Sequence, residues 1–271
     1  MSSDHKAIVA EGLGKSYWVG GHMLIDRMGM HALVDRALKA PVQVISRLVS
    51  NQKPSSHFPE IPGHMKWAIR NVSFSVDQGE VLGIVGHNGA GKSVLLKLLS
   101  RITRPTEGRA RLHGRVGSML EAGTSFHGEL TGRENIQLSG AILGMPRPRI
   151  TALMDEIISF SEVEEYIDTP VKRYSTGMIL RLGFSVAAHL DTDIMLIDEV
   201  LAVGDQRFKQ RCIDKMRSVA GSGKTVLFVS HDMDVLKQIS DRAILIREGS
   251  LIMEGAPGHV VAEHVRYTGK S

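Results

Sequence analysis

Eight residues, Gly86-His87-Asn88-Gly89-Ala90-Gly91-Lys92-Ser93, follow the pattern G-x-x-x-x-G-K-S. Three glycines leave space for backbone N–H groups to close around phosphate oxygens. A lysine at this spacing reaches the β- and γ-phosphates of a nucleotide, and the serine hydroxyl binds Mg²⁺. An ordinary glycine turn is the bland alternative, and the flanks argue against it. Ahead runs Glu80-Val81-Leu82-Gly83-Ile84-Val85, an apolar run of buried-strand type. Behind it Leu95, Leu98, Leu99 and Ile102 recur at helical spacing. Strand, glycine loop and helix in that order are the context the motif requires.

A second group of chemical side chains ends another apolar run. Ile194-Met195-Leu196-Ile197 leads into Asp198-Glu199, two adjacent carboxylates. In a parallel sheet, ligands gather outside the carboxyl ends of strands. An acid at such an end can hold Mg²⁺. A second acid one residue on can polarise a water for attack on the γ-phosphate. Apolar runs ending in Asp-Glu also arise by chance, so the pair draws its meaning from the glycine loop upstream. Thr225-Val226-Leu227-Phe228-Val229 forms a similar run and ends at Ser230-His231.

Positioning these groups needs a scaffold. Residues 6 to 18 read as a strand with an aromatic end at Tyr17-Trp18. Residues 67 to 76 read as another, since Val72, Phe74 and Val76 alternate with polar neighbours. Asp77-Gln78-Gly79 turns the chain into the strand before the glycine loop. Between the two early strands lies an insertion over residues 19 to 66. Met30, Leu33, Val34, Ala37 and Leu38 sit there at helical spacing, and Pro41 interrupts them. Ile45, Leu48 and Val49 suggest a second short helical piece, followed by a loop at Pro54, Pro59, Pro62 and Gly63. The insertion reads either as a surface decoration or as a contact element for a partner or a membrane boundary.

Past the glycine-loop helix, Arg104 to Gly108 reads as a turn and Arg109 to Leu120 as more strand. Residues 129 to 170 read as mostly helical. Thr131 can cap with Glu134, and Ile150, Leu153, Met154, Ile157 and Ile158 form a core stripe. Residues 243 to 253 suggest a hairpin turning at Arg247-Glu248-Gly249-Ser250. Short apolar strands alternating with helices predict an α/β fold with a mostly parallel sheet.

Composition narrows the classes. The chain has 271 residues, 42% hydrophobic and 23% charged, a globular balance with ample core. The net charge of +4 is small for this length, and no run of five basic residues occurs, so a nucleic-acid partner is not expected. Cys212 is the sole cysteine, so no internal disulfide can form. The twelve histidines are scattered, with no cluster of metal-site spacing. No signal-peptide core and no run of about 18 apolar residues is present, which favours the cytoplasm.

Tyr174-Ser175-Thr176-Gly177-Met178, some twenty residues before Asp198, completes a set. With it the chain resembles an ATP-binding-cassette (ABC) ATPase over almost its whole length. The resemblance implies a P-loop NTPase fold: a RecA-like, mostly parallel core with an antiparallel β-subdomain and a helical subdomain. It implies one nucleotide-binding domain, with core at 67–120 and 186–271, helical subdomain at 121–185 and insertion at 19–66. Residues 86 to 93 match the Walker A loop, and Asp198 and Glu199 the Walker B acid and the catalytic carboxylate. His231 matches the switch histidine. Tyr17 looks like the adenine-stacking aromatic, with Trp18 the substitute and a strand-end core cover the plain alternative. The implied nucleotide contacts are Tyr17, Gly86, His87, Asn88, Gly89, Ala90, Gly91, Lys92, Ser93, Val94 and Asp198. Ser175, Thr176 and Gly177 stand in the signature, usually Leu-Ser-Gly-Gly-Gln, from which Tyr174, Thr176 and Met178 depart. Asp205 looks like the acid of the dimer-contact loop. Glu121 stands where the family usually has a glutamine; an acid there can meet Mg²⁺ or water but repels phosphate.

The stretch from Glu121 to Ile136, Tyr-Ser-x-Gly-Met and Asp-Glu-Val-Leu-Ala-Val-Gly-Asp are similar to ATPases of bacterial polysaccharide exporters. That subgroup serves O antigen, capsule and wall teichoic acid. Its O-antigen members carry a gate helix after the adenine-stacking strand, and residues 22 to 40 fit that place. Some add a C-terminal carbohydrate-binding β-domain, which is expected to be absent or cut away here. The resemblance implies ATP and Mg²⁺ as cofactors, with Ser93, Glu121 and Asp198 as metal contacts. It implies a head-to-tail dimer, a separate membrane-spanning permease and a lipid-linked glycan as cargo, at the cytoplasmic face of the cell membrane. A soluble ABC ATPase of DNA repair or translation is the rival reading, and a scaffold with a dead nucleotide site the other.

Overall fold

The structure is a computed structural model that describes residues 5–19, 64–119, 126–198 and 205–269. The expectations for residues 22–40 and the rest of 20–63, and those for Glu121 and Glu199, lie outside these residues. The chain divides into two compact units, one of Met1–Lys15 with Ala68–Ser271, the other Ser16–Trp67. Of the second unit, the described residues are the strand ends Ser16–Val19 and His64–Trp67.

Six strands form the main sheet: β3 (Val81–Val85), β5 (Val116–Ser118), β6 (Ile194–Asp198), β7 (Thr225–Val229), β8 (Arg242–Arg247) and β9 (Ser250–Gly255). Their order is β5-β6-β7-β3-β8-β9. The first five run parallel, and β9 returns antiparallel to β8. Parallel strands covered on both faces are apolar throughout rather than alternating, and every residue of β3 and β7 is buried. Alternate residues still divide between two cores. Val81 and Val85 pack on one face of the sheet, Leu82 and Ile84 on the other. The second face is closed by helix α1 (Lys92–Leu99) and by strands β1 (Lys6–Val19) and β2 (His64–Asp77).

A smaller sheet has the order β2-β1-β4, with β4 at Glu107–Leu112 running antiparallel to β1. Arg109 to Leu120 therefore serves two sheets, β4 belonging to the small one and β5 to the large one. The switch falls at His113–Arg115.

Helix α1 ends sooner than the apolar spacing predicts. It stops at Leu99, Arg101 takes a left-handed φ of 61°, and Ile102 lies 48% exposed outside the helix. The left-handed residue rotates the chain out of helical register, so Ile102 never joins the stripe of Leu95, Leu98 and Leu99.

Three helices pack together after β5: α2 (Gly132–Ile142), α3 (Arg147–Ser161) and α4 (Thr176–Ala188). The predicted capping box closes α2. Glu134 N–H donates to Thr131 Oγ1 at 3.2 Å, and Thr131 N–H donates to Glu134 Oε2 at 2.8 Å. On α3 the expected stripe of Ile150, Leu153, Met154, Ile157 and Ile158 is buried. Helices α5 (Gln206–Gly221), α6 (Met233–Ile239) and α7 (Pro257–Thr268) complete the fold. The late hairpin turns at Glu248 and Gly249, both with positive φ. That is the two-residue turn whose twist matches the flanking strands.

Candidate functional site

The parallel sheet delivers the chemical residues to one edge. The glycine loop leaves the carboxyl end of β3, Asp198 closes β6, and His231 follows β7 by two residues. Strand β7 lies between β3 and β6. Two strand spacings, about 10 Å, therefore separate the glycine loop from Asp198, with His231 at the strand end between them. Glu121 and Glu199 follow β5 and β6 in sequence and lie outside the described residues.

The loop's glycines answer steric demands. A Cβ at Gly86 would run into the Ile246 carbonyl oxygen. At Gly91, where φ is 107°, it would strike Ile69 Cγ2 and come within 2.6 Å of the Ala68 carbonyl oxygen. Gly89 differs: its φ of 79° favours glycine, but nothing stands within 4 Å of a Cβ there. Gly91 is also the N-cap of α1, so the first turn of that helix faces the loop, with Lys92 and Ser93 in it. Lys92 is 5% exposed and donates to the carbonyl oxygens of Gly86 at 2.8 Å and His87 at 3.1 Å. Its ammonium thus closes the loop on itself. A cradle of this kind, with N–H groups at a helix start and a lysine inside, fits a polyphosphate. The hairpin braces it from outside, since Gly249 N–H donates to the Ala90 carbonyl at 3.0 Å.

His231 stands on a built turn. Asp232 N–H donates to the buried Ser230 hydroxyl at 3.0 Å. The Asp232 carboxylate caps α6 by accepting from Asp234 and Val235 N–H at 3.1 and 3.0 Å. It also pairs with Lys209 of α5. The Lys209 ammonium foremost, with these N–H groups, holds the Asp232 carboxyl below the usual carboxylate range.

A histidine that the sequence reading missed belongs to this neighbourhood. His264 on α7 has its pKa pushed down, by burial first and then by Lys92, His87 and His231. The C-terminal helix therefore carries a titratable group into the field of the glycine loop. The nearest sequence signal is its place in an amphipathic helix, which names no partner. Of these causes, the positive charge of Lys92 is the one that also attracts an anion.

The signature residues lie on the helical part of the first unit. Ser175 is the N-cap of α4, and its hydroxyl accepts from Met178 N–H at 3.2 Å. Thr176 and Gly177 open the helix, and Ser175 Oγ lies 3.8 Å from where a Gly177 Cβ would stand. Tyr174 is buried, its hydroxyl donating to the Tyr166 carbonyl at 2.7 Å. Burial pushes that hydroxyl's pKa up to about 12. Tyr174 thus anchors the start of α4. A few residues on, Arg181 bonds Glu162 at 2.9 Å and Asp205 at 3.1 Å, with its guanidinium 4.9 Å from the Phe208 ring centre. Asp205 caps α5 by accepting from Phe208 N–H at 2.8 Å. That bond, ahead of Arg181, lowers its pKa. Tyr17 and Trp18 belong to the second unit and are 42% and 52% exposed. Among the described residues no cluster of three His, Cys, Asp or Glu side chains makes a metal site, and no helix is long and apolar enough to cross a membrane.

Comparison with known proteins places this arrangement. Residues 69–202 match the ABC transporter family. The O-antigen export system ATP-binding protein RfbB of Klebsiella pneumoniae is 45% identical over 77% of this chain and 85% of its own length. The Myxococcus xanthus protein of the same name is 45% identical over 73% of this chain, which spans 45% of that relative. The teichoic acids export ATP-binding protein TagH of Levilactobacillus brevis is 42% identical over 74% of this chain and 56% of its own length. Among solved structures, a dimeric post-hydrolysis state of an ATP-binding cassette bound to ADP and Pi superposes with a TM-score of 0.68. That match is 18% identical and covers 92% of this chain and 98% of the other. The likeness supports the P-loop NTPase fold.

Proposed function

The chain belongs to the ABC transporter family, and from that membership we propose that it is the ATP-hydrolysing subunit of an exporter that moves a lipid-linked polysaccharide across the cell membrane. The observation that carries the reading is the glycine cradle around Lys92, set on one sheet edge with Asp198 and His231. The relatives named for O-antigen and teichoic acid export supply the class of cargo.

The amides from Gly86 to Val94 surround the phosphates, and Lys92 transfers its donors from the loop carbonyls to the β- and γ-phosphate oxygens. Ser93 and Asp198 would hold Mg²⁺, with Glu121 meeting it or its water, and the ion would supply charge neutralisation at the transferring phosphate. Glu199 orients and deprotonates the attacking water, and His231 stabilises the charge that develops on the γ-phosphate. Tyr17 stacks on the adenine. A second copy faces the first head to tail, so that Ser175, Thr176 and Gly177 of one bind the γ-phosphate held by the loop of the other. Asp205 lies at the contact between them. ATP closes this pair and product release opens it, a two-state element biased by the γ-phosphate.

The closing motion acts on a separate permease through the helical residues 121–185, at the cytoplasmic face of the membrane. We assign residues 22–40 a contact with the glycan carrier or the permease. The test is Glu199→Gln in the full chain. Turnover should fall by roughly 10²- to 10⁴-fold, the range of a general base, while ATP binding persists and the dimer accumulates. Normal hydrolysis by that variant would remove Glu199 from the role. Glycolipid bound to the co-purified permease complex identifies the cargo, and its absence in favour of another substrate would overturn polysaccharide export.

A further inference from the structure

Helix α5 reaches the turn that carries His231. Lys209, one helical turn after the N-cap Asp205, places its ammonium 2.5 Å from Asp232 Oδ2. Asp232 follows His231 directly and is already committed. Its N–H donates to the Ser230 hydroxyl, and its other carboxylate oxygen caps α6. Lys209 and Asp232 are 25% and 36% exposed, so the pair is partly shielded from water. The start of α5 is also held, because Arg181 pairs with the N-cap Asp205. The turn at 230–232 is thus tied to β7, α6 and α5 at once.

We propose that Lys209 is a positioning residue for His231, acting through Asp232. This rests on the reading of His231 as the side chain that meets the γ-phosphate. Lys209 itself touches no nucleotide in this account. Its ammonium selects one rotamer of Asp232, and that rotamer sets the backbone from Ser230 to Asp232. Without it, Asp232 keeps its helix-capping bonds but loses the contact that ties the turn to α5. The imidazole then samples positions away from the phosphate. A misplacement of about 1 Å at a reacting centre lowers rate by up to about 10²-fold, whereas ground-state nucleotide binding rests mostly on the glycine loop.

The full chain is tested as Lys209→Met, Lys209→Arg, Asp232→Asn and His231→Ala, with steady-state ATP hydrolysis and binding of a fluorescent ATP analogue measured for each. Lys209→Met should lower kcat by roughly ten- to a hundredfold with nucleotide affinity unchanged. Lys209→Arg, which keeps the charge, should restore most of the rate. Asp232→Asn keeps a helix cap and should lose as much as Lys209→Met, and this variant decides the matter should Lys209→Met fail to fold. In the His231→Ala background, Lys209→Met should cause no further loss. Wild-type kcat in Lys209→Met, an equal loss of nucleotide affinity, or losses that multiply with His231→Ala would each overturn the assignment. Failure of the wild-type chain to hydrolyse ATP would instead strike the functional reading, so the two failures are distinguishable.

Discussion

Glu162 holds the signature helix to its neighbours, and its replacement by alanine should be costly. It ends α3 in a left-handed conformation with φ of 55°, unusual for a residue with a Cβ. Its carboxylate accepts from Arg181 of α4 at 2.9 Å and from Arg211 of α5 at 2.6 Å. Arg181 is 19% exposed and Glu162 25%, so that charge-assisted bond is worth about 1.5–3 kcal/mol. Arg211 is 34% exposed, and screening reduces its share to about 0.5–1 kcal/mol. Together Glu162→Ala should lose about 2–4 kcal/mol, and at roughly 2–4 °C per kcal/mol for a chain of this size the melting point falls by about 4–16 °C. Equilibrium urea unfolding gives the free energy directly. A cycle with Arg181→Ala isolates the pair, with an expected coupling of about 1–2 kcal/mol. A coupling under about 0.5 kcal/mol would refute the reasoning, because neighbours in one network do not add.

Gly86→Ala should abolish binding of a fluorescent ATP analogue, since its Cβ meets the immovable Ile246 carbonyl. Gly89→Ala should keep binding and lose only about 1 kcal/mol of stability to its left-handed backbone. Nucleotide affinity should rise as pH falls from about 7.5 toward about 6, because phosphate charge favours the His264 imidazolium that burial and Lys92 oppose in the protein alone. His264→Gln should flatten that slope in a titration. The same lowered pKa means that the His264 contribution to stability is present above about 6.5 and declines as pH falls below it. Thr131→Ala removes the hydroxyl that accepts from Glu134 N–H, keeps the backbone N–H that donates to the Glu134 carboxylate, and should cost about 1 kcal/mol by urea unfolding.

The glycine loop, the strand ahead of it, the α2 cap and the α3 stripe were all legible because each is a local pattern. The hairpin at Glu248-Gly249 was legible for the same reason. The role of Gly249 was not, because its bond to Ala90 joins positions 159 residues apart in the chain. Arg109 to Leu120 reads as one strand region, and only the pairing of β4 with β1 and β5 with β6 shows that it serves two sheets. Ile102 keeps helical spacing in the sequence, yet a left-handed Arg101 removes it from the helix. His264 and Lys209 were missed because an isolated charged residue on an amphipathic helix carries no motif. Their significance comes from what tertiary packing sets opposite them.

The two hydrogen bonds from Lys92 to its own loop bear on the thermodynamics of ligand capture. A segment already folded around an internal cation has little backbone freedom left to surrender. An arriving triphosphate exchanges oxygens at the ammonium instead of freezing a slack chain. Calorimetry of nucleotide binding to a single copy should therefore show a small heat-capacity change, with any large one appearing only when two copies close and bury surface.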